Sequence, residues 1–104
     1  MPNRNYLRGT RFERQCRKDW LSFGCQAASR TAGSHGLFDL YMITSDGHLF
    51  GSQCKVVTTE AQAKALIQAF EKHPPVKGAK FVQVLEVYTQ ATRAKSMTWI
   101  PVTA

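Results

Sequence analysis

The stretch that decides the fold is FDLYMITSDGHLFGSQCKVV, residues 38–57. Residues 38–44 are rich in β-branched, aromatic and other apolar side chains, a composition that favours a strand. The turn signal SDG follows at 45–47, and residues 48–57 again have the composition of a strand. The stretch therefore predicts a β-hairpin.

Polar side chains lie near the open end of this predicted hairpin. Gln53 and Lys55 share one face of the second strand, because side chains two residues apart in a strand point the same way. Asp39 begins the first strand, so closing the hairpin brings its carboxylate towards both of them. We expect a carboxylate, an amide oxygen and an ammonium group to meet there.

An amphipathic helix is predicted upstream of the hairpin. Its apolar positions Phe12, Cys16 and Trp20 recur every four residues, as one face of a helix requires. Thr10 can cap the start of this helix, and Gly24 is expected to follow its end.

Glu13 stands at the margin of that apolar face, next to Phe12. A carboxylate in such a position is partly desolvated, which is costly unless the group has a function or a partner. The structural alternative is a salt bridge to Arg17, four residues further along the same helix.

The segments on either side of the hairpin have simple patterns. Residues 25–29 favour a short first strand, and RTAGSHG at 30–36 reads as a loop. After the hairpin, Thr59 and Gln62 have the spacing of a capping box for a second helix. This helix should end near His73, since two prolines follow.

Two more strands are predicted, at 81–87 and 97–102. The element order is then α-β-β-β-α-β-β, which predicts an α/β fold in which helices flank a mixed β-sheet. The 104 residues fit a single domain, 1–104. Four aromatic residues are interpreted as core or dimer-interface side chains: Phe12, Trp20, Phe70 and Trp99.

The charge balance points to a polyanionic partner. The formal net charge is +7, from 14 Lys and Arg against 7 Asp and Glu. Within residues 1–30, seven basic residues stand against two acidic ones, so most of the imbalance lies there. Nucleic acid is the leading candidate, and the alternative is that the charge only keeps a small protein soluble.

Cysteine usage and hydropathy bear on the compartment. The cysteines are odd in number, Cys16, Cys25 and Cys54, and contain no CxxC pair, so we expect reduced thiols in the core. Neither a signal peptide nor a membrane span is expected from the sequence. These observations favour a cytoplasmic protein, of a bacterial, archaeal or virus-infected cell, without a membrane partner. A chain this short would also gain apolar burial by forming a homodimer.

The polar residues of the hairpin suit phosphodiester hydrolysis with Mg²⁺, which prefers hard oxygen ligands and needs few from the protein. Asp39 would be the central ligand, and the side-chain oxygen of Gln53 and the backbone carbonyl of Cys54 would be others. Lys55 would orient the attacking water and stabilise charge on the phosphate.

Four segments together resemble the motif series of archaeal-type Holliday junction resolvases: RGTRFER at 8–14, RTAGS at 30–34, Asp39, and QCK at 53–55. The order and spacing are similar, and the resemblance extends from residue 8 to about 102. Those enzymes belong to the PD-(D/E)XK nuclease superfamily. The resemblance implies a restriction-endonuclease-like fold, a homodimer, and Mg²⁺-dependent cleavage of four-way DNA, with Mn²⁺ as a substitute metal.

The resemblance also implies roles for single residues. Glu13 becomes the helix-borne acid of the metal site, and Ser34 lies in a mobile loop needed for cleavage. Arg14 and Arg30 contact phosphates. The full set expected to bind DNA is Arg8, Arg11, Arg14, Arg30, Ser34 and His35.

The sequence departs from the resolvase pattern at Gln53, where those enzymes have a glutamate before the lysine. The change removes one negative charge from the predicted metal pocket and predicts weaker metal binding. Mrr-type restriction nucleases resemble the chain here, because they use a QxK strand. Two alternatives therefore stay open: a non-catalytic nucleic-acid-binding module derived from a nuclease, and an Mrr-like or repair endonuclease that acts on duplex DNA.

Overall fold

The computed structural model describes residues 4–30 and 37–102, with side chains from residue 8 onward. The elements are, in chain order, α1 Arg4–Ser22, β1 Ala27–Arg30, β2 Leu40–Ile43, β3 Leu49–Val57, α2 Glu60–Lys72, β4 Val82–Thr89 and β5 Ala94–Ile100. The predicted α/β class and the order α-β-β-β-α-β-β are confirmed.

The five strands form one mixed sheet in the order β1-β2-β3-β4-β5. Strands β3 and β4 are parallel, and every other neighbouring pair is antiparallel. Helix α2 makes the crossover that a parallel pair requires. The predicted hairpin is β2–β3, and its turn contains Gly47 at a φ of 88°, a conformation that glycine adopts at little cost.

Each helix covers one face of the sheet. On one face, Phe12 and Cys16 of α1 pack with Leu40, Met42 and Cys54 of the sheet. Burying a large apolar side chain contributes roughly 1.5–3 kcal/mol, so this cluster holds α1 against the hairpin. On the other face, Ala63 and Phe70 of α2 pack with Leu85 and Val87 of β4 in a second cluster.

Helix α2 begins and ends as the sequence predicts. The side chain of Thr59 accepts a hydrogen bond from the backbone N–H of Gln62, and the Gln62 side chain accepts from the backbone N–H of Thr59. This capping box satisfies donors that a helix start leaves unpaired. His73 is the C-cap, directly before Pro74.

Several predicted boundaries are wrong. Helix α1 begins already at Arg4, so Thr10 lies inside the helix and does not cap it. No proline lies between Arg4 and Thr10, and the helix tolerates both Gly9 and a threonine in its interior. The first strand starts at Ala27, and the last begins at Ala94, earlier than predicted, and ends at Ile100, directly before Pro101.

One aromatic residue differs from the others. Phe12 and Phe70 are buried and Trp20 packs against the first cluster, as predicted for core residues. Trp99 on β5 is 59% exposed, so it is not a core residue of the single chain. Strand β5 lies at the edge of the sheet. None of the described helices is long and apolar enough to cross a membrane.

Candidate functional site

The pairing of β2 with β3 ends beside Asp39. The last paired residues are Leu40 and Ser52, and the backbone N–H of Asp39 donates to the Ser52 carbonyl at 2.8 Å. Beyond this point, the carboxylate of Asp39 accepts a hydrogen bond from the backbone N–H of Cys54 at 2.7 Å. The Asp39 side chain thus takes the place of a β2 carbonyl. Since the N–H and C=O of a strand residue point to the same edge, the Cys54 carbonyl faces the same side.

Glu13 approaches this place from α1. Its carboxylate is half-buried and accepts from Arg30 at 3.0 Å to Nη2 and 3.3 Å to Nε. Burial raises the pKa of Glu13, the Arg30 hydrogen bond opposes that shift, and the Asp39 carboxylate raises the pKa further. The two carboxyl groups are therefore close enough to repel each other.

The alternative prediction, a salt bridge between Glu13 and Arg17, is wrong. Arg17 lies four residues along α1, but its Nε donates to the backbone carbonyl of Ala28 at 2.8 Å. Glu13 pairs instead with Arg30, which β1 brings across from a distant part of the chain. A local salt bridge therefore does not account for the position of Glu13.

Gln53 connects β3 to the segment before Asp39. Its amide Nε2 donates to the backbone carbonyl of Leu37 at 2.8 Å. This hydrogen bond fixes the amide and leaves the side-chain oxygen as its ligand atom. Gln53 thus lies beside the end of the hairpin where Asp39 is held.

Lys55 stands apart from these groups. It is exposed and shares a strand face with Gln53, the face opposite Cys54. Within residues 8–30 and 37–102 it makes no side-chain hydrogen bond or ion pair. The structure therefore brings Glu13 and Asp39 together at the hairpin end, whereas Gln53 and Lys55 extend from the face of β3 turned away from α1.

The predicted DNA-binding arginines do not share one surface. Arg30 is the partner of Glu13, and Arg14 is exposed on α1. Arg8 lies about 140° around the helix from Glu13, because each residue turns the helix by about 100°. Arg8 and Arg11 line a groove on the β4–β5 side of α1. Ser34 and His35 lie outside the described residues.

Sequence reasoning missed a buried acid, Glu86 on β4. Its side chain is fully buried and forms an ion pair with Lys95 at 2.6 Å. It also accepts hydrogen bonds from Ser52 Oγ at 2.5 Å and Trp20 Nε1 at 3.1 Å. Burial alone would lower the pKa of Lys95, but the hydrogen bond and charge of Glu86 raise it above its ordinary value. The signal was present in VQVLEVY, because a carboxylate within an apolar strand requires a partner.

Two thiols lie beside this acid. Donor atoms of Cys16, Cys54 and Glu86 fall within 4.8 Å of one another. The contact with Cys16 and then burial raise the pKa of the Cys54 thiol, so it stays protonated. Glu86 already has Lys95 as its counter-ion. This group is therefore a polar part of the core, and the cysteines are free thiols as predicted.

The fold and the site define an α/β protein in which a pair of carboxyl groups lies at the open end of the central hairpin. Comparison with models of known protein families gives no match to the chain. Comparison with curated proteins gives none either.

Proposed function

We propose that the protein is a metal-dependent DNA endonuclease of the PD-(D/E)XK type that cuts branched DNA, with Holliday junctions as the preferred substrate. One observation carries the proposal: Glu13 and Asp39, from separate elements, bring two carboxyl groups together where the β2–β3 pairing ends. Gln53, which is held at the segment before Asp39, and the Cys54 carbonyl would supply further oxygens from β3.

The donor set suits Mg²⁺ or Mn²⁺. Every proposed ligand atom is a hard oxygen: the carboxylates of Glu13 and Asp39, the side-chain oxygen of Gln53 and the Cys54 carbonyl. Burial is the largest cause of the raised pKa of Glu13, and the Asp39 carboxylate adds a repulsion of the kind that a divalent cation relieves. When bound, such a cation polarises the phosphate and lowers the pKa of a coordinated water.

The protein groups have separate tasks in this proposal. Asp39 is held by the Cys54 N–H and so presents a fixed carboxylate. Lys55, exposed at the same end of β3, offers its ammonium to a phosphate oxygen as negative charge develops there. Arg14 lies exposed on α1 to contact the DNA backbone.

The assembly and the compartment belong to the same proposal. We propose a homodimer, because a junction with two-fold symmetry is matched by a protein with two equivalent sites. The exposed apolar side chains of Met97 and Trp99 on the edge strand β5 support self-association. The three free thiols suit a reducing cytoplasm.

The test is cleavage of a labelled four-way junction with Mg²⁺ or Mn²⁺. Because the Asp39 carboxylate also accepts the Cys54 N–H, Asp39→Asn is the informative variant: an amide oxygen can still accept that hydrogen bond. We expect Asp39→Asn to bind the junction and to lose cleavage by at least about a hundredfold. The matched control is Asp46→Asn, an exposed aspartate in the hairpin turn, which should cut like the wild type.

The second candidate is a nucleic-acid-binding module without catalysis. The substitution of Gln53 for an acid and the engagement of its amide by Leu37 support this alternative. A wild-type protein that binds the junction but never cuts it with either metal would establish the module and end the nuclease proposal. Linear, nicked and flap substrates belong in the same assay, since preferential cutting of plain duplex would indicate an Mrr-like or repair endonuclease.

A further inference from the structure

A basic groove lies on the flank of α1 turned away from Glu13. It is a cavity of about 530 Å³ between α1 and the β4–β5 hairpin, and its principal lining residues are Arg8, Arg11, Phe12, Val56, Tyr88 and Arg93. A second cavity of about 680 Å³ continues it past Arg8, Val56 and Gln90 to the first turn of α2. The proposed function uses neither cavity.

The walls of the basic groove carry uncompensated positive charge. Arg8 and Arg11 extend from α1, and Arg93 extends from the hairpin on the other side. These three exposed guanidinium groups form no ion pair within residues 8–30 and 37–102. At one end of the groove, Lys95 is already paired with Asp19 and Glu86. The groove is therefore suited to a ligand with several negative charges.

The floor of the basic groove is apolar and aromatic. Tyr88 is half-buried, and its ring lies against that of Phe12 with centroids 5.8 Å apart. Val56 of β3 completes the floor between them. A partly exposed aromatic ring between cationic walls suits a ligand with planar rings and a charged backbone.

The backbone of Arg93 is strained. Its φ is 54°, in the left-handed region, and it is the only described residue other than glycine with a positive φ. A residue with a side chain is disfavoured in this conformation, and glycine would avoid the strain. The hairpin loop is fixed to the β3–α2 connection, because Gln90 N–H donates to Val57 and Ala91 N–H donates to Thr58. The turn conformation and these backbone hydrogen bonds hold Arg93 at the groove wall.

We propose that the basic groove binds single-stranded nucleic acid. Phosphates contact Arg8, Arg11 and Arg93, and a base stacks over Tyr88. The cavity of about 530 Å³ has the volume of a small-molecule pocket, which is enough for a nucleotide. Binding in the basic groove does not involve the metal site. If the protein is also a nuclease at Asp39, the groove predicts that branched substrates with an unpaired arm are preferred over fully paired junctions.

The experiment measures fluorescence anisotropy of a labelled twelve-residue oligothymidylate with the full chain, in EDTA so that no metal site contributes. Arg93→Gly removes a cation and also relieves the backbone strain. We expect binding to weaken about fivefold or more and the salt dependence of the affinity to become shallower. The midpoint of urea unfolding should stay unchanged or rise. The matched control is Lys80→Gln, which removes an exposed cation in the segment before β4, away from the groove.

Further arms separate stacking from charge. Tyr88→Leu keeps an apolar side chain but removes the π surface, and we expect it to weaken oligothymidylate binding about fivefold without changing the salt dependence. Equal binding of oligouridylate would extend the proposal to RNA. The proposal is overturned if Arg93→Gly binds as tightly as the wild type, if Lys80→Gln loses as much affinity, or if a blunt duplex of equal length binds as tightly and is weakened equally by the variants.

Discussion

At the scale of single residues, Glu13 has an environment that the sequence foreshadowed only in part. Its place at the edge of an apolar helix face predicted a desolvated carboxylate, and burial is indeed the largest cause of its raised pKa. Its partner Arg30 could not be inferred, because helical spacing points to local partners such as Arg17. Only the packing of α1 on β1 brings Arg30 near.

The raised pKa of Glu13 predicts a pH dependence of metal binding. Its folded-state pKa lies above the ordinary value of 4.5, so protons compete for this carboxylate at a higher pH than for an exposed glutamate. We expect Mn²⁺ affinity to be constant above the folded pKa and to fall as the pH decreases through it. Isothermal titration across pH 4–8 measures this.

Glu13→Gln is the corresponding control variant. It should bind Mn²⁺ more weakly at neutral pH. It should also lack the decrease in Mn²⁺ affinity that protonation of Glu13 causes at low pH. An unchanged pH profile in this variant would contradict a role of Glu13 as a metal ligand.

The ion pair between the buried Glu86 and the partly exposed Lys95 gives a prediction about stability. Glu86→Gln keeps the size of the side chain but leaves Lys95 with only Asp19, at 3.4 Å, as a charged partner. Because Lys95 keeps access to solvent, we expect a loss of about 1–3 kcal/mol in the free energy of unfolding, measured with urea at neutral pH. Glu71→Gln, an exposed glutamate whose oxygen accepts from Thr98, should change it by less than about 0.5 kcal/mol. Equal losses in the two variants would mean that burial of the pair contributes nothing.

At the scale of elements, the sequence predicted which elements exist but not all of their limits. The hairpin turn and the α2 capping box were predictable, since each depends on local chemistry at fixed spacing. The start of α1 was not predictable. Thr10 has the side chain of a helix cap, but this does not say whether the residues before it are already helical. The parallel pairing of β3 with β4 depends on the crossover through α2, which sequence patterns do not specify uniquely.

Two glycines in different elements should respond oppositely to alanine. A Cβ on Gly51 in β3 would lie 2.9 Å from Phe81 Cε2 and 3.1 Å from Phe38 Cγ, so Gly51→Ala should destabilise the protein by about 1–3 kcal/mol. A Cβ on Gly9 in α1 meets nothing within 4 Å, so Gly9→Ala should stabilise it by about 0.5–1 kcal/mol. Thermal unfolding of both variants measures this. Equal shifts of the same sign would contradict the packing of Phe38 and Phe81 on β3.

At the scale of the whole molecule, the net charge of +7 correctly drew attention to the N-terminal helix but did not resolve its geometry. On one flank of α1, Glu13 pairs with Arg30, and the opposite flank carries Arg8 and Arg11 beside the basic groove. Composition reports the sum of the charges, whereas the fold divides them between two surfaces. The contribution of Arg93 to the groove depends on a turn conformation that the sequence does not predict.

Self-association is the prediction at this scale. Trp99 is 59% exposed and Met97 is 43% exposed on the uncovered part of the sheet, next to a cavity that reaches Trp20 and Phe50. If this surface forms the homodimer, Trp99→Ser should shift sedimentation towards the monomer and raise the dimer dissociation constant at least about tenfold. Ile43→Ser, on β2, provides a control of similar chemistry and should leave the dimer intact. A wild-type protein that is monomeric at high micromolar concentration would contradict the proposed assembly.

The Arg30 guanidinium is paired with Glu13 and therefore lies at the acidic end of the hairpin. If the proposed nuclease is correct, a divalent cation that binds the Glu13 oxygen held by Arg30 would displace this guanidinium. Arg30 would then need a new anion, which a DNA phosphate at the same hairpin end would provide. Metal binding and DNA binding would in that case favour each other through one shared arginine.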